Sequence, residues 1–223
     1  MTFYLENFNS LIMGRKTKNK TRYSNAEIKH RLAIKAMVYF QKNGISNFSM
    51  SKMASDLSMS KTTIYNHYGS KYELLEAALN YKLGVISEYE TVLENLTLPY
   101  TERYRKAILF YCVQLYDISS QLMKEIKQDY PKLWEIVLRF NRKTYRNLRD
   151  YYIVGKDIGV FKVGSNPILL SLDDQQFFQM LGINRVMQEH NIEVLDAFNH
   201  HFNMKFTGII DPSYELSKMG RSV

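Results

Sequence analysis

The sequence has a single cysteine, Cys112, among its 223 residues. One cysteine excludes an intramolecular disulfide framework and any zinc site built from several cysteines. No run approaches the roughly 18 consecutive apolar residues that a membrane-spanning helix needs. The first residues also lack the positive-then-apolar pattern of a secretory signal. We therefore expect a cytoplasmic protein with no membrane partner.

Recognised catalytic patterns are also missing. The sequence contains no glycine-rich phosphate loop, no Gly-x-Ser-x-Gly elbow and no His-Glu-x-x-His zinc motif. The pair Asp173-Asp174 has no histidine nearby to complete an acid–base site, and adjacent residues such as His200-His201 point about 100° apart on a helix. Cys112 has no assignable base. We expect a protein that is not an enzyme and that binds no metal or cofactor.

Negative charge is nearly absent from residues 15–71, which hold 12 lysines and arginines against only Glu27 and Asp56. The remainder is close to neutral, and the whole chain carries a net charge of +8. A basic first third joined to a neutral remainder is typical of a small polyanion-binding head on a body with another role. Charge alone leaves two polyanions open, a nucleic acid and an acidic membrane surface.

Periodicity predicts an all-α protein of about nine helices. Apolar residues make up 45% of the chain, and from Asn25 onward they recur every three or four positions without an alternating strand pattern of any length. We predict four regions: a flexible basic arm at 1–24, a three-helix head at 25–71, a larger helical body at 72–212 and a C-terminal tail at 213–223.

Local signals predict a helix-turn-helix in the head. Gly44 ends the first helix, and Ser49 and Ser60 are placed to cap two short helices on either side of the turn at 58–60. The second of these helices must project from the head so that its polar face fits a groove about 12 Å wide. Ile64 can point inward and leave polar neighbours outward, although short polar helices are common on any helical surface.

Similar signals divide the body. Ser70 and Glu73 form a predicted capping box for the helix that follows the head. Further along, Gly155 and Gly159 are predicted to bracket a loop, and Asn191 is predicted to cap the last helix.

The residues of the head match a known family. Residues 48–50 (Phe-Ser-Met), 60–65 and 67–71 are similar to the DNA-binding domain of the TetR/AcrR family of bacterial transcriptional regulators. The resemblance extends from residue 28 to 79, and Ser58 stands where the family usually has glycine. It implies DNA binding by the head and a helical body with a regulatory role.

The resemblance assigns DNA contacts residue by residue. It implies that Tyr65, His67 and Lys71 hold the sugar-phosphate backbone, and that residues 61–63 lie nearest the base edges. The predicted DNA-binding residues are Ser49, Ser51, Lys52, Ser60, Lys61, Thr62, Thr63, Tyr65, Asn66, His67 and Lys71. Less specific roles remain open, since Tyr65 can be part of the core, His67 can cap its own helix and Thr63 can be ordinary surface.

The basic arm could extend the DNA contact. Residues 15–22 contain no apolar side chain, so we expect disorder in the absence of an anionic partner. The arm could enter the minor groove or serve only as a solubilising tail. Met13 could be an alternative start of the cellular protein.

The resemblance also implies a homodimer. In the family, the last two long helices pack against those of a second subunit as a four-helix bundle. A two-fold dimer presents two recognition helices about one DNA turn apart to a near-palindromic operator. The predicted dimer-interface residues are Phe177, Phe178, Leu181, Phe198, Phe202 and Phe206, although a monomer core could use the same positions.

Aromatic residues are frequent on the helices that enclose a small-molecule pocket in relatives. Apolar walls with a few hydroxyl groups suit such a pocket. The predicted pocket residues are Tyr104, Phe110, Tyr111, Tyr116, Trp134, Phe140 and Tyr145. Ordinary core packing is the alternative for each of them.

The expected function is that of a sequence-specific transcriptional regulator, most often a repressor in this family, which a small molecule bound in the body releases from its operator. Such a ligand must bind the DNA-competent and released states differently. Two alternatives stay open. One is a DNA-binding regulator controlled by a protein partner, and the other is a small helical enzyme or carrier with a basic head.

Overall fold

The computed structural model describes residues 24–182, 187, 189–210 and 212–213. Over these residues the predicted all-α fold is confirmed, with no strand beyond an isolated bridge between Phe161 and Ile210. None of the described helices is long and apolar enough to cross a bilayer. The predictions for the arm up to residue 23, for a start at Met13 and for residues 214–223 lie outside the described residues.

The helices are α1 (Asn25–Asn43), α2 (Met50–Asp56), α3 (Lys61–His67), α4 (Lys71–Ser87), α5 (Tyr89–Leu93), α6 (Tyr100–Tyr116), α7 (Ser120–Asp129), α8 (Pro131–Asp157), α9 (Pro167–Gly182) and α10 (Val194–Ile209).

Serine side chains start three helices at the predicted places. Ser49, Ser60 and Ser70 each accept the backbone N–H of the residue three positions ahead, at the beginning of α2, α3 and α4. These bonds satisfy donors that the first turn of a helix leaves unpaired. The predicted capping box at Ser70 is only half formed, because the Glu73 carboxylate accepts the Gly69 N–H at 3.0 Å.

Two turns of the head adopt left-handed backbone conformations. Gly44, after α1, has a φ of 72°, and Ser58, between α2 and α3, has a φ of 51°. Glycine enters this region freely, whereas a residue with a side chain does so at a cost of about 1–2 kcal/mol. Ser58 therefore completes the turn of the helix-turn-helix with some loss of stability.

Two helices of the body contribute to the core of the head. Helices α1 to α4 enclose a buried cluster, and Leu122 and Ile126 of α7 pack into the same cluster together with Leu133 and Val137 of α8. A second cluster fills the body between α6, α8, α9 and α10. The head thus contacts the body through α7 and α8 as well as through the connecting helix α4.

The body differs from the sequence-based expectation at two points. Gly155 does not border a loop but lies inside α8, where a Cβ would come within 2.3 Å of the Phe161 ring. The lack of space for a Cβ beside the Phe161 ring, rather than a turn, explains the glycine at this position. The last helix begins at Val194 after Glu193, so Asn191, which has a φ of 51°, does not cap it.

Candidate functional site

Helix α3 has one face in the head core and the other in solvent. Ile64 is 0% exposed and Tyr68, directly after the helix, is 3% exposed. The Tyr68 hydroxyl donates to the Lys29 carbonyl of α1 at 2.9 Å, so the helix is fixed about its axis. The exposed residues of the predicted DNA-binding set are Ser49, Ser51, Lys52, Ser60, Lys61, Thr62, Tyr65 and Asn66, and the half-buried ones are Thr63, His67 and Lys71.

The hydroxyl of Thr63 is engaged at the start of α3. Ser60 Oγ accepts the Thr63 backbone N–H at 3.0 Å and lies 2.7 Å from Thr63 Oγ1. The helix cap therefore uses both side chains. Of the three residues predicted nearest the base edges, Lys61 and Thr62 are the more exposed.

Aromatic rings lie beside two of the lysines predicted to contact DNA. The Lys61 ammonium is 5.8 Å from the centre of the Tyr65 ring, and the Lys52 ammonium is 5.7 Å from that of Tyr39. Such cation–π contacts restrain a flexible lysine while leaving its charge accessible. Tyr65 is 42% exposed, so it is a surface residue rather than part of the core.

Lys71, the first residue of α4, contacts the turn that precedes α2. Its ammonium donates to the carbonyl of Ile45 and lies 5.8 Å from the centre of the Phe48 ring. Burial lowers the pKa of Lys71, and the negative charge of Glu125 partly opposes this effect. An ammonium has three N–H donors, so the bond to Ile45 leaves two for a phosphate.

The predicted pocket residues are mostly packed in the body core. Tyr104, Tyr111 and Phe140 are buried, and Phe110, Tyr116, Trp134 and Tyr145 are half-buried. Trp134 packs against the core of the head rather than that of the body. The five that pack in the body core are Tyr104, Phe110, Tyr111, Tyr116 and Phe140.

A small cavity remains between α6, α8 and α9. Its volume is about 40 Å³, and of the predicted pocket residues only Tyr111 and Tyr145 line it. Its polar lining comes from uncharged side chains, among them Asn141, Thr144 and Gln175. A cavity of this size holds a few water molecules at most, whereas a typical small-molecule site has about 300–1,000 Å³.

A buried polar cluster that the sequence analysis missed joins α6, α8, α9 and α10. Asp174 is 0% exposed and accepts hydrogen bonds from the Tyr104 hydroxyl and, at 2.8 Å, from the Tyr152 hydroxyl. The Lys205 ammonium also contacts Asp174, and His201 Nε2 lies 3.1 Å from its carboxylate. The expectation that the acidic pair has no partner histidine is therefore wrong, because α10 packs His201 against α9.

The charges of this cluster stabilise one another. Burial alone would raise the pKa of Asp174, but the hydrogen bond from His201 and the charge of Lys205 hold it below its ordinary value. Burial, followed by the charge of Asp174, raises the pKa values of Tyr104 and Tyr152 well above their ordinary range. Asp174 is thus a carboxylate, and both tyrosines are neutral donors.

Asp173, Asp174 and His201 offer ligand atoms within 4.8 Å of one another, which is close enough for a metal ion. The Lys205 ammonium, however, already contacts both carboxylates and lies 2.9 Å from Asp173. A divalent cation would have to displace this buried ammonium from its partners. The arrangement fits an internal ion pair better than a metal centre.

The predicted dimer-interface residues pack largely within the single chain. Phe177, Phe178, Leu181, Phe198 and Phe206 are buried and Phe202 is half-buried, all in the body core. The same two helices carry other apolar side chains on their outer faces. Those exposed residues are Ile168, Leu169, Leu172, Met180, Leu195 and Met204.

Solved structures with a similar fold include transcriptional regulators. A putative transcriptional regulator from Saccharomonospora viridis, solved in complex with choline, is 20% identical with a TM-score of 0.70, over 83% of this chain and 99% of that one. SmeT, the repressor of the Stenotrophomonas maltophilia multidrug efflux pump SmeDEF, is 13% identical with a TM-score of 0.65, over 87% and 94%. AibR in complex with isovaleryl coenzyme A and operator DNA is 15% identical with a TM-score of 0.58, over 79% and 97%. At these identities the likeness shows a shared fold.

The head itself matches a family model. Residues 35–78 match the domain described as bacterial regulatory proteins, tetR family, and this range contains the whole helix-turn-helix. No curated protein matches the chain in sequence. The family match therefore covers the helix-turn-helix head, and the solved structures show that the chain shares the fold of known transcriptional regulators.

Proposed function

We propose that the chain acts as a homodimeric repressor in the cytoplasm, which binds a near-palindromic operator through α2 and α3 and leaves it when a small molecule enters the body. The observation that carries this proposal is the orientation of α3. Buried Ile64 and Tyr68 hold the helix so that Lys61, Thr62 and Asn66 face solvent. A short helix with a fixed polar face is what the major groove accepts.

The charge of the head supports a phosphate backbone as its target. The described part of the head carries seven lysines and arginines against Glu27 and Asp56. Lys52 and Lys61 are restrained by neighbouring rings, and Lys71 begins α4, where the helix dipole also favours an anion. These positions lie on α2, α3 and α4, so backbone contacts there would orient α3 in the groove.

The outer faces of α9 and α10 support a dimer. Six exposed apolar side chains, from Ile168 to Met204, lie on these two helices. Contact with the same helices of a second subunit would remove this apolar surface from water. A two-fold dimer formed in this way would present two copies of α3 to one face of a duplex.

A small-molecule ligand would have to open the filled body. The cavity beside Tyr111 and Tyr145 is about 40 Å³, so it would have to enlarge before it could hold a drug-sized molecule. Binding would then favour a more open body, and this difference in affinity is what could release DNA. The choline and isovaleryl coenzyme A complexes of the structural neighbours support a ligand-binding body.

The filled interior also favours a second candidate, a DNA-binding regulator controlled by a protein partner. This candidate needs no chamber in the body, only an accessible surface. We propose no catalytic role for the buried cluster, because Lys205 and His201 already occupy the carboxylate of Asp174. Native mass spectrometry of the purified protein distinguishes the two candidates. A bound small molecule adds a mass of a few hundred daltons or less, whereas a bound protein partner adds the mass of a polypeptide.

Binding-site selection from a random double-stranded DNA library tests the proposed function. We expect the purified full-length chain to enrich a motif with two inverted half-sites about one DNA turn apart. Lys61→Ala should weaken binding to the enriched duplex, whereas Lys106→Ala, which changes an exposed lysine on α6, should not. Enrichment of no motif, or equal effects of the two substitutions, would contradict the proposal.

A further inference from the structure

A carboxylate of the body contacts the turn that precedes the helix-turn-helix. Glu125 of α7 accepts the backbone N–H of Ile45, and Ser46 also donates to it. The carbonyl of the same Ile45 accepts the Lys71 ammonium. One residue of the turn thus links a side chain of the body to the first residue of α4.

Side chains of α7 approach the backbone of this turn closely at Gly44. A Cβ on Gly44 would lie 2.7 Å from Gln121 Nε2 and 2.9 Å from Glu125 Oε1, which is closer than side-chain atoms pack. Gln121 Nε2 in turn donates to Glu125 Oε1 at 3.2 Å and so orients the carboxylate. Two side chains of α7 therefore lie directly against the Gly44 backbone, and a larger residue would displace their polar ends.

The Glu125 contact is electrostatically favourable for the basic head. Partial burial would raise the pKa of Glu125, but hydrogen bonds from Ile45, Gln121 and Ser46 outweigh it and hold the pKa below its ordinary value. Glu125 is therefore charged at neutral pH and attracts the nearby Lys71. Hydrogen bonds to a charged acceptor are the stronger ones.

A second polar contact fixes α1 to the body on the other side of the turn. Gln41 of α1 donates to the backbone carbonyl and the carboxylate of Asp117, at 3.2 and 3.3 Å. Lys82 of α4, which is buried, donates to the same carboxylate at 2.8 Å. With contacts at both Gln41 and Ile45, the head cannot swing freely about α4.

We propose that Glu125 is a positioning residue that fixes the orientation of the head on the body and thereby the distance between the two heads of a dimer. The inference rests on the proposed function, since it concerns how the same DNA-reading surface is held. Glu125 does not contact DNA in this account. It acts through the Ile45–Ser46 turn.

The consequence differs between whole and half operators. Binding both half-sites at once requires two heads at a fixed distance, so a loosened head must first be ordered, and that ordering lowers affinity. Binding to one half-site requires no fixed distance. Loss of the Glu125 contact should therefore weaken binding to a whole site while sparing a half-site, and loss of a phosphate contact should weaken both.

The experiment compares variants of the full chain on two duplexes taken from the binding-site selection, one with both half-sites and one with a single half-site. We expect Glu125→Ala to weaken binding to the whole site about five- to tenfold and to change half-site binding less than about twofold. Glu125→Gln keeps an acceptor oxygen and should fall between the parent and Glu125→Ala. Lys71→Ala should weaken both duplexes. Glu135→Ala, which removes an exposed glutamate of α8, is the matched control and should change neither.

Amide hydrogen exchange at Ile45 provides a readout that does not depend on DNA. Glu125→Ala should raise the exchange rate of this N–H at least tenfold, while Glu135→Ala leaves it unchanged. Unchanged whole-site binding by Glu125→Ala, or equal losses on both duplexes, would overturn the role of Glu125 and leave the proposed function intact. If the parent bound no duplex, the proposed function would fail first and the role of Glu125 with it.

Discussion

Replacement of Lys205 by methionine tests the buried cluster of the body most severely. The ammonium contacts Asp174, lies 2.9 Å from the Asp173 carboxylate and donates to the Leu170 carbonyl at 2.9 Å. Methionine keeps most of the side-chain volume but removes the charge, so a fully buried carboxylate loses its main counterion. Removing one partner of a buried ion pair costs about 3–5 kcal/mol. We expect the lower end, about 3 kcal/mol, because His201 remains beside Asp174.

The double variant Asp174→Asn/Lys205→Met separates the charge from the packing. It removes both charges, so no buried charge is left unpaired. The single amide oxygen of asparagine accepts from one of the two tyrosine hydroxyls, and the amide NH2 can donate to the other. We expect the double variant to be more stable than Lys205→Met alone, by about 1 kcal/mol or more. Urea unfolding followed by circular dichroism gives the free energies, with Lys106→Met as the control at an exposed lysine.

The pH dependence gives an independent check on Asp174. Its folded pKa lies below the ordinary value of 3.8, so the unfolded chain binds the proton more readily. The carboxylate therefore contributes stability that is present above that value and is lost as the pH falls through the folded pKa. The parent should lose stability below about pH 4 more steeply than Asp174→Asn. A cost of less than about 1 kcal/mol for Lys205→Met, together with identical acid profiles, would refute the reasoning.

Three further substitutions follow from local geometry. Ser58→Gly should raise the free energy of unfolding by about 0.5–1 kcal/mol by relieving the left-handed backbone, and a lower midpoint in urea would argue against strain at the turn. Gly155→Ala should destabilise the body by about 1–3 kcal/mol, because its Cβ would meet the Phe161 ring; an unchanged midpoint would show that the ring moves aside easily. Lys71→Ala should weaken binding to all duplexes alike and lower the slope of affinity against salt by about one, as measured by fluorescence anisotropy, whereas a change in sequence preference alone would contradict a phosphate contact.

Local features of the head could be predicted from the sequence because they depend on neighbours in the chain. Ser49 and Ser60 cap their helices through residues only three positions away, and Gly44 ends α1 through its own backbone conformation. The capping box of Ser24 and Glu27 at α1 has the same local origin and could have been recognised from its spacing.

The buried cluster could not be predicted as easily, because its members come from different helices. His201 and Lys205 share a face of α10 with the phenylalanine stripe, and this pattern was available in the sequence. Their partner Asp174 lies on α9, however, and the packing of α9 against α10 decides which polar groups meet. Gly155 was misread for a related reason, since the residue that requires it, Phe161, lies beyond the end of α8.

The sequence also does not show which apolar residues of α9 and α10 belong to the core and which lie on the outer face. Both Phe177 and Leu169 are large apolar residues on one helix, yet the first is buried and the second is 63% exposed. Only the rotation of the helix against the rest of the body separates the two faces. The aromatic residues of the body present the same difficulty. The same amino-acid composition is compatible with aromatic side chains that line a cavity and with aromatic side chains that fill it.

The central claim is that two copies of α3, held at a fixed distance, read one duplex. The most direct test is to insert about half a helical turn, 5 base pairs, between the half-sites of a selected duplex. The account predicts that affinity then falls to that of a single half-site, because the second copy of α3 faces the opposite side of the DNA. Unchanged affinity after the insertion would contradict it.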